Sequence, residues 1–278
     1  QGDIYIGVVG PVRTGKSTFI KRFMDELVLP RIENEHVRTR VLDELPQSGT
    51  GKTIMTTQPK FVPNEAVRLD LGDNAHCNVR LVDCVGYWVP GAIGHMEAET
   101  PRMVRTPWFD YEIPFEEAAE LGTRKVITDH STIGVVMTTD ASITSIPREN
   151  YLEAEERVIN ELKATGKPFV IVVNSTDPEG AAAQALKKEL SEKYGVSAIA
   201  LDALNMNAAS ATELLSEVLM EFPLALLHVR LPGYMMELDK DHWLMERVLA
   251  PVEENMQKLS RMRDYKKVYD ALSDIEGF

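Results

Sequence analysis

The residues best suited to chemistry stand near the start of the chain. Gly10-Pro11-Val12-Arg13-Thr14-Gly15-Lys16-Ser17 fits the pattern G-x-x-x-x-G-K-[ST]. Glycines at its ends let a loop curl so that successive backbone N–H groups face phosphate oxygens, at the start of a helix whose dipole favours anions. Lys16 would add a point charge on the β- and γ-phosphates. Ser17 would offer a hydroxyl to Mg2+, a hard cation that also suits a nearby carboxylate. Gly10 through Thr18 are therefore expected to cradle the polyphosphate of a nucleoside triphosphate. Arg80-Leu81-Val82-Asp83-Cys84-Val85-Gly86 delivers an aspartate at the end of an apolar run and a glycine three residues later. In that D-x-x-G arrangement Asp83 reaches the metal, directly or through water, and the Gly86 N–H approaches the γ-phosphate. Thr53-Ile54-Met55-Thr56-Thr57-Gln58 supplies hydroxyls that could close over metal and γ-phosphate, with Thr56 or Thr57 as sensor and Thr57 as a metal ligand; a threonine-rich edge strand is the plainer reading.

The elements that must position these groups follow from periodicity. Ile4 to Val9 is a β-branched run ending at Gly10, and Ser17 to Leu29 has helical spacing, so the glycine loop joins strand to helix. Pro30 to Pro63 is polar, lacks periodicity and is too long for an ordinary connector, which predicts a functional loop. Val67 to Leu71 and Val79 to Val85 read as a hairpin turning at Gly72-Asp73-Asn74. An irregular, aromatic-rich stretch from Tyr87 to Pro114 precedes a helix over Phe115 to Lys125, and its Trp88, Trp108, Phe109 and Tyr111 suit a lid or a polymer contact. Strands at 133–137, 169–173 and 198–201 then alternate with helices at 150–165, 181–194 and 211–222. Such alternation predicts an α/β fold: a mostly parallel sheet with one antiparallel hairpin strand and helices on both faces. Beyond Pro223, Leu224 to Leu231 reads as a strand and Met236 to Leu272 as a long amphipathic helix interrupted at Pro251. The expected division is a nucleotide-binding domain over 1–223 and the start of a second domain over 224–278.

Composition narrows the partners. A formal net charge of −13 opposes binding to anionic nucleic acid. Two cysteines, Cys77 and Cys84, cannot build a disulfide framework, and Cys84 reads as a small packed hydrophobe in a reducing, cytoplasmic setting. No apolar run is long enough for a transmembrane segment, so membrane contact is expected to be peripheral. His76, His95, His130 and His242 lack metal-ligand spacing.

In this order the motifs resemble those of the translation-factor-related P-loop GTPases over roughly Ile4 to Phe222. Members of that class read guanine with N-K-x-D at the end of a later strand. Here that position holds Asn174-Ser175-Thr176-Asp177, without the lysine, and Asp202-Ala203-Leu204 replaces the backup serine-alanine-lysine signature. Asn174 and Asp177 are the base-side candidates, and adenine competes with guanine. The whole chain also resembles the stage IV sporulation protein A family, through G-P-V-R-T-G-K-S, T-I-M-T-T-Q-P-K-F and L-V-D-C-V-G-Y. That resemblance implies a cytoskeletal ATPase, using ATP and Mg2+, that polymerises into the basement layer of the spore coat. It implies a place in the mother cell, peripheral on the outer forespore membrane, through a small membrane-bound anchor peptide and other spore coat proteins. It assigns Lys16 as the P-loop lysine, Asp83 as the Walker B aspartate, and Thr56 with Thr57 as sensor threonines. It also implies further C-terminal domains, including the end implicated in membrane localisation. A GTPase switch of the same fold and a nucleotide-binding scaffold with little turnover remain alternatives.

Tyr87 follows the D-x-x-G glycine where a water-orienting glutamine often stands, so another group must assist hydrolysis. Arg13, inside the glycine loop, has two readings: a built-in arginine finger, or a solvated or partner-pairing arginine.

Overall fold

The computed structural model describes residues 3–46, 59–72, 75–97, 100–239 and 241–273. The chain forms two compact units, Gln1–Val218 and Leu219–Phe278. The first is built on a six-stranded sheet. Its strands are β1 (Asp3–Val9), β2 (Lys60–Gly72), β3 (Ala75–Asp83), β4 (Ile133–Thr139), β5 (Phe169–Asn174) and β6 (Ala198–Leu201), in the spatial order β6-β5-β4-β1-β3-β2. Every neighbouring pair is parallel except β2 with β3, the expected antiparallel hairpin. Every residue of β4 and of β5 is buried. A strand covered by helices on both faces has no solvent side to alternate with, which is why these two read as unbroken apolar runs. This is a P-loop NTPase fold of GTPase-like topology, as the sequence predicts.

Five helices matter for the site. α1 (Lys16–Phe23) buries Phe19, Ile20 and Phe23, and the chain stays helical through wider and tighter turns as far as Arg31. α2 (Glu35–Glu44) lies inside the stretch expected to be a loop. Asn34 caps it by accepting from the His36 and Val37 amides, but only Val41 is buried, so it leaves almost no apolar period to detect. α3 (Phe115–Lys125) carries Glu116 and Glu117 in its first turn and Arg124 and Lys125 in its last, matching the helix dipole at both ends. α4 (Leu152–Thr165) buries Ala154, Val158, Ile159 and Leu162 on one stripe, and α5 (Ala181–Tyr194) follows β5. A sixth helix, α6 (Ala208–Met220), follows β6. Between β3 and α3 the chain is irregular apart from two ladders of two residues each, Met96–Glu97 with Thr100–Pro101 and Met103–Val104 with Ile113–Pro114.

The second unit departs from the sequence reading. Leu224 to Leu231 forms no strand, and the expected long helix is two, α7 (Trp243–Met256) and α8 (Tyr265–Ser273). Pro251 sits within α7 without ending it. The break falls at 257–264, where Asp264 Oδ2 accepts from the Ser260 and Arg261 amides and starts the next turn. The run Leu224 to Leu231 stays irregular because apolar and β-branched residues form a strand only where another strand is there to pair with them. A small apolar cluster of Met235, Met245 and Val248 is this unit's core, and buried Glu221 pairs with Arg261 and with Arg263 at 2.8 Å.

Candidate functional site

The C-terminal ends of β1 and β3 lie side by side, because the two strands are parallel and paired from Asp3↔Asn78 to Val8↔Asp83. The glycine loop therefore leaves the sheet beside Asp83. Two positions around this junction require glycine. Gly15 has φ 88°, and a Cβ there would stand 2.3 Å from Asn174 Nδ2. Gly86 has φ 96°, and a Cβ there would stand 2.2 Å from the Gly10 carbonyl oxygen and 2.6 Å from Lys16 Nζ. An L side chain at either position meets both a disfavoured backbone conformation and a neighbour that has no room to retreat. Arg13, with φ 65°, takes the left-handed conformation without being glycine.

Lys16 is buried, and its ammonium donates to the carbonyls of Pro11 at 2.6 Å and Gly10 at 3.3 Å. Burial lowers its pKa, against the opposing pull of the Cys84 and Asp83 side chains. Thr14 closes the loop by donating its hydroxyl to Pro11 O at 2.9 Å. One amide of the expected cradle is committed elsewhere: Val12 N–H donates to Tyr87 O at 2.8 Å, and Pro11 has no N–H to offer. Thr18 stands half-buried in the first turn of α1.

Ser17 and Asp83 meet. The Ser17 hydroxyl donates to Asp83 Oδ2 at 3.2 Å, across 66 residues of sequence. Asp83 Oδ1 is buried and has no hydrogen-bond partner among the described residues. Burial raises the pKa of this carboxyl from 3.8 to about 6, with Lys16 and the Ser17 hydroxyl pulling it back down. A buried carboxylate oxygen with nothing to accept from, beside a hydroxyl and an ammonium, is a donor set suited to a hard divalent cation carrying polyphosphate oxygens. Cys84, next along, packs its sulfur 3.5 Å from Val8 O with its pKa pushed up to about 11 by burial, as expected of an inert core thiol.

Gly86 lies against the Lys16 ammonium, and its N–H, which the D-x-x-G reading expects at the γ-phosphate, donates to Thr123 Oγ1 on α3 at 3.1 Å. Tyr87 is fully buried. Its hydroxyl donates to Glu161 on α4 and its ring lies under the Arg157 guanidinium, 4.2 Å from the ring centroid. Burial and then Glu161 raise its pKa, so it stays neutral, with its hydroxyl engaged on α4. Arg157 in turn makes two hydrogen bonds of 2.7 Å to Glu120 on α3. Thr123, Glu120, Arg157 and Glu161 carry no motif and were invisible to sequence reading.

On the other side of β1, Asn174 braces the loop rather than facing a base. Its Nδ2 donates to Thr14 O at 3.0 Å and its Oδ1 accepts from the Ala203 amide at 3.0 Å. Ser175, at the place of the missing lysine, donates to Asp140 Oδ2 at 2.6 Å, while the Ser142 hydroxyl and amide hold Asp140 Oδ1. Burial opposes ionisation of Asp140, but these bonds outweigh it and hold its carboxyl below the usual range. Asp177 is exposed two residues on. The Arg13 guanidinium lies near the buried Tyr151, with its own Nη2 buried. Thr56 and Thr57 lie outside the described residues.

Among the described residues no helix is long and apolar enough to cross a membrane. The chain is similar to three curated relatives, each named stage IV sporulation protein A. It is 53% identical over 275 residues to that of Bacillus subtilis (strain 168), 51% identical over 275 residues to that of Bacillus anthracis, and 47% identical over 276 residues to that of Clostridioides difficile (strain 630). Each match covers 99% of this chain and 56% of the relative, so the chain spans about half the length of the curated relatives it matches. The family model described as stage IV sporulation protein A, ATPase domain, matches residues 1–223, the span that holds the glycine loop and Asp83. The chain belongs to the stage IV sporulation protein A family.

Proposed function

We propose that this chain hydrolyses ATP with Mg2+ and that turnover serves self-association into polymers that form the basement layer of the bacterial spore coat. The observation that carries the catalytic part is the Ser17 hydroxyl at 3.2 Å from the Asp83 carboxylate, whose other oxygen is buried and has no partner among the described residues. Ser17 and Asp83, with Thr57, would hold the ion, which neutralises charge on the β- and γ-phosphate oxygens when bound. Lys16 has three donors and uses two on carbonyls of its own loop, so a third remains to meet a phosphate oxygen. The buried setting strengthens each of these contacts, because little water competes for them. In-line attack by water needs positioning more than covalent help, and Tyr87, locked to Glu161, cannot orient that water. Arg13 is our candidate for the assisting charge; it would have to turn from Tyr151 toward the γ-phosphate.

The base-side residues favour ATP over GTP. Ser175 stands where a guanine-reading lysine would be, and it is engaged with Asp140. Membership of a sporulation protein family supports our reading that the chain self-associates, binds a small membrane-bound anchor peptide and other coat proteins, and works peripherally on the outer forespore membrane. We read residues 224–278 as the start of a second domain.

A competition assay for ATP and GTP hydrolysis by the wild-type chain and its Lys16→Ala, Asp83→Ala and Arg13→Ala variants tests this reading. Lys16→Ala and Asp83→Ala should each lower turnover about 100-fold or more. Arg13→Ala should do so while leaving ATP affinity intact. Preference for GTP would overturn the adenine reading, and absence of turnover at every protein concentration would establish the scaffold instead.

A further inference from the structure

We infer that Thr123 sets how strongly this site prefers a nucleoside triphosphate over the diphosphate, by competing with the γ-phosphate for the Gly86 amide; the inference rests on the nucleotide site described above. Ser17 and Asp83 mark the metal side of that site, and Gly86 stands on the same side, close against the Lys16 ammonium. A terminal phosphate drawn to Lys16 therefore arrives next to the Gly86 N–H. That N–H is buried and already has one acceptor, the Thr123 hydroxyl at 3.1 Å.

The two acceptors are unequal. A phosphate oxygen is charged and a hydroxyl is not, and hydrogen bonds to ionised acceptors are roughly twice as strong as neutral ones. On release Thr123 keeps its own proton with Ala119 O at 2.8 Å inside α3, and its hydroxyl still has the Cys84 thiol as a neighbour. Exchange therefore favours the triphosphate, reduced by the energy of the bond that is broken. A diphosphate brings no oxygen to Gly86, and the bond to Thr123 persists.

The surroundings make this exchange a movement of α3 and not of Gly86 alone. Tyr87, the next residue, is tied to the glycine loop through Val12 N–H at 2.8 Å and to α4 through Glu161. Glu120, three residues before Thr123 on α3, is gripped by Arg157 through two bonds of 2.7 Å. Gly86 is thus flanked by a fixed residue, while the turn of α3 that faces it is held by two contacts one helical turn apart: the bidentate pair at Glu120, and the bond at Thr123 that the triphosphate breaks.

The test compares dissociation constants of ADP and a non-hydrolysable ATP analogue for the wild-type chain, Thr123→Val and Thr123→Ser, by calorimetry with Mg2+. Thr123→Val removes the competing acceptor at nearly constant shape. It should raise the ADP-to-analogue ratio of dissociation constants about fivefold, the worth of one neutral hydrogen bond. Thr123→Ser should return the wild-type ratio. A contact that serves stability alone would move both constants together and leave the ratio unchanged, which would overturn the inference. Should Thr123→Val not fold, the amide resonance of Gly86 in the wild-type chain decides: a shift on adding the analogue but not ADP supports the exchange, and no difference between the two refutes it. Failure of the wild-type chain to bind either nucleotide would instead remove the nucleotide reading itself, and this inference with it.

Discussion

At the scale of single residues the site is a compromise between stability and chemistry, and Asp83 shows where it falls. Its folded pKa of about 6 lies above the ordinary carboxyl value of 3.8, because burial disfavours the charged form. A raised carboxyl pKa means that the folded state holds its proton more tightly than the unfolded one. The resulting penalty is absent below 3.8, grows as pH rises toward 6 and is complete above that, where both states are ionised. Asp83→Asn should therefore unfold at a higher temperature than the wild type at pH 8, by about 1–3 kcal/mol in stability. The gap should close as pH falls through the window between about 6 and 3.8. Thermal unfolding across pH without nucleotide or Mg2+ measures this, and the same variant should lose Mg2+-dependent hydrolysis. Equal stability of the two proteins at pH 8 would show that the burial penalty is offset elsewhere.

Among the elements, α3 and α4 form the part of the site that no motif announces. Arg157 makes two bonds to Glu120, covers the Tyr87 ring and lies 3.4 Å from Glu161. Exposed ion pairs contribute little, but a planar, two-pronged pair that also covers an aromatic ring exceeds that baseline. Arg157→Ala should destabilise the chain by about 1–2 kcal/mol in urea unfolding. Arg157→Lys should recover only part, since an ammonium cannot reproduce the fork. An Arg157→Lys variant as stable as the wild type would show that charge, and not geometry, holds α3 to α4. The helix α2 shows a related point: its ten residues are held by an asparagine cap, one buried valine and bonds linking Arg40 and Glu44 to Glu65 and Asn64 of β2, none of which leaves an apolar period in the sequence.

For the whole molecule, the net charge of −13 bears directly on the proposed assembly. Like-charged copies repel one another at distances up to about 10 Å at 0.1 M salt, and added salt shortens that range. ATP-dependent assembly, read by sedimentation, should therefore increase as monovalent salt rises from about 0.05 to 0.3 M, as long as nucleotide binding is unchanged. Assembly that weakens over that range would instead indicate interfaces built on opposite charges.

What the sequence settled alone were features with a fixed local code. The glycine loop between strand and helix, the apolar run ending at Asp83, the hairpin before it, and the alternation that gives β4, β5 and β6 each depend on residues close in the chain. Periods of two and of about three and a half are written locally, and so is the need for glycine where φ is positive. The bond between Ser17 and Asp83, the Asn174 brace on Thr14, the capture of the Gly86 amide by Thr123, and the turning of Tyr87 toward Glu161 were decided only by the tertiary structure. Each joins groups tens of residues apart or more, through side chains whose types have many other uses. The same reason explains Leu224 to Leu231: a strand exists only through its partner, and its own residues cannot state whether one is there.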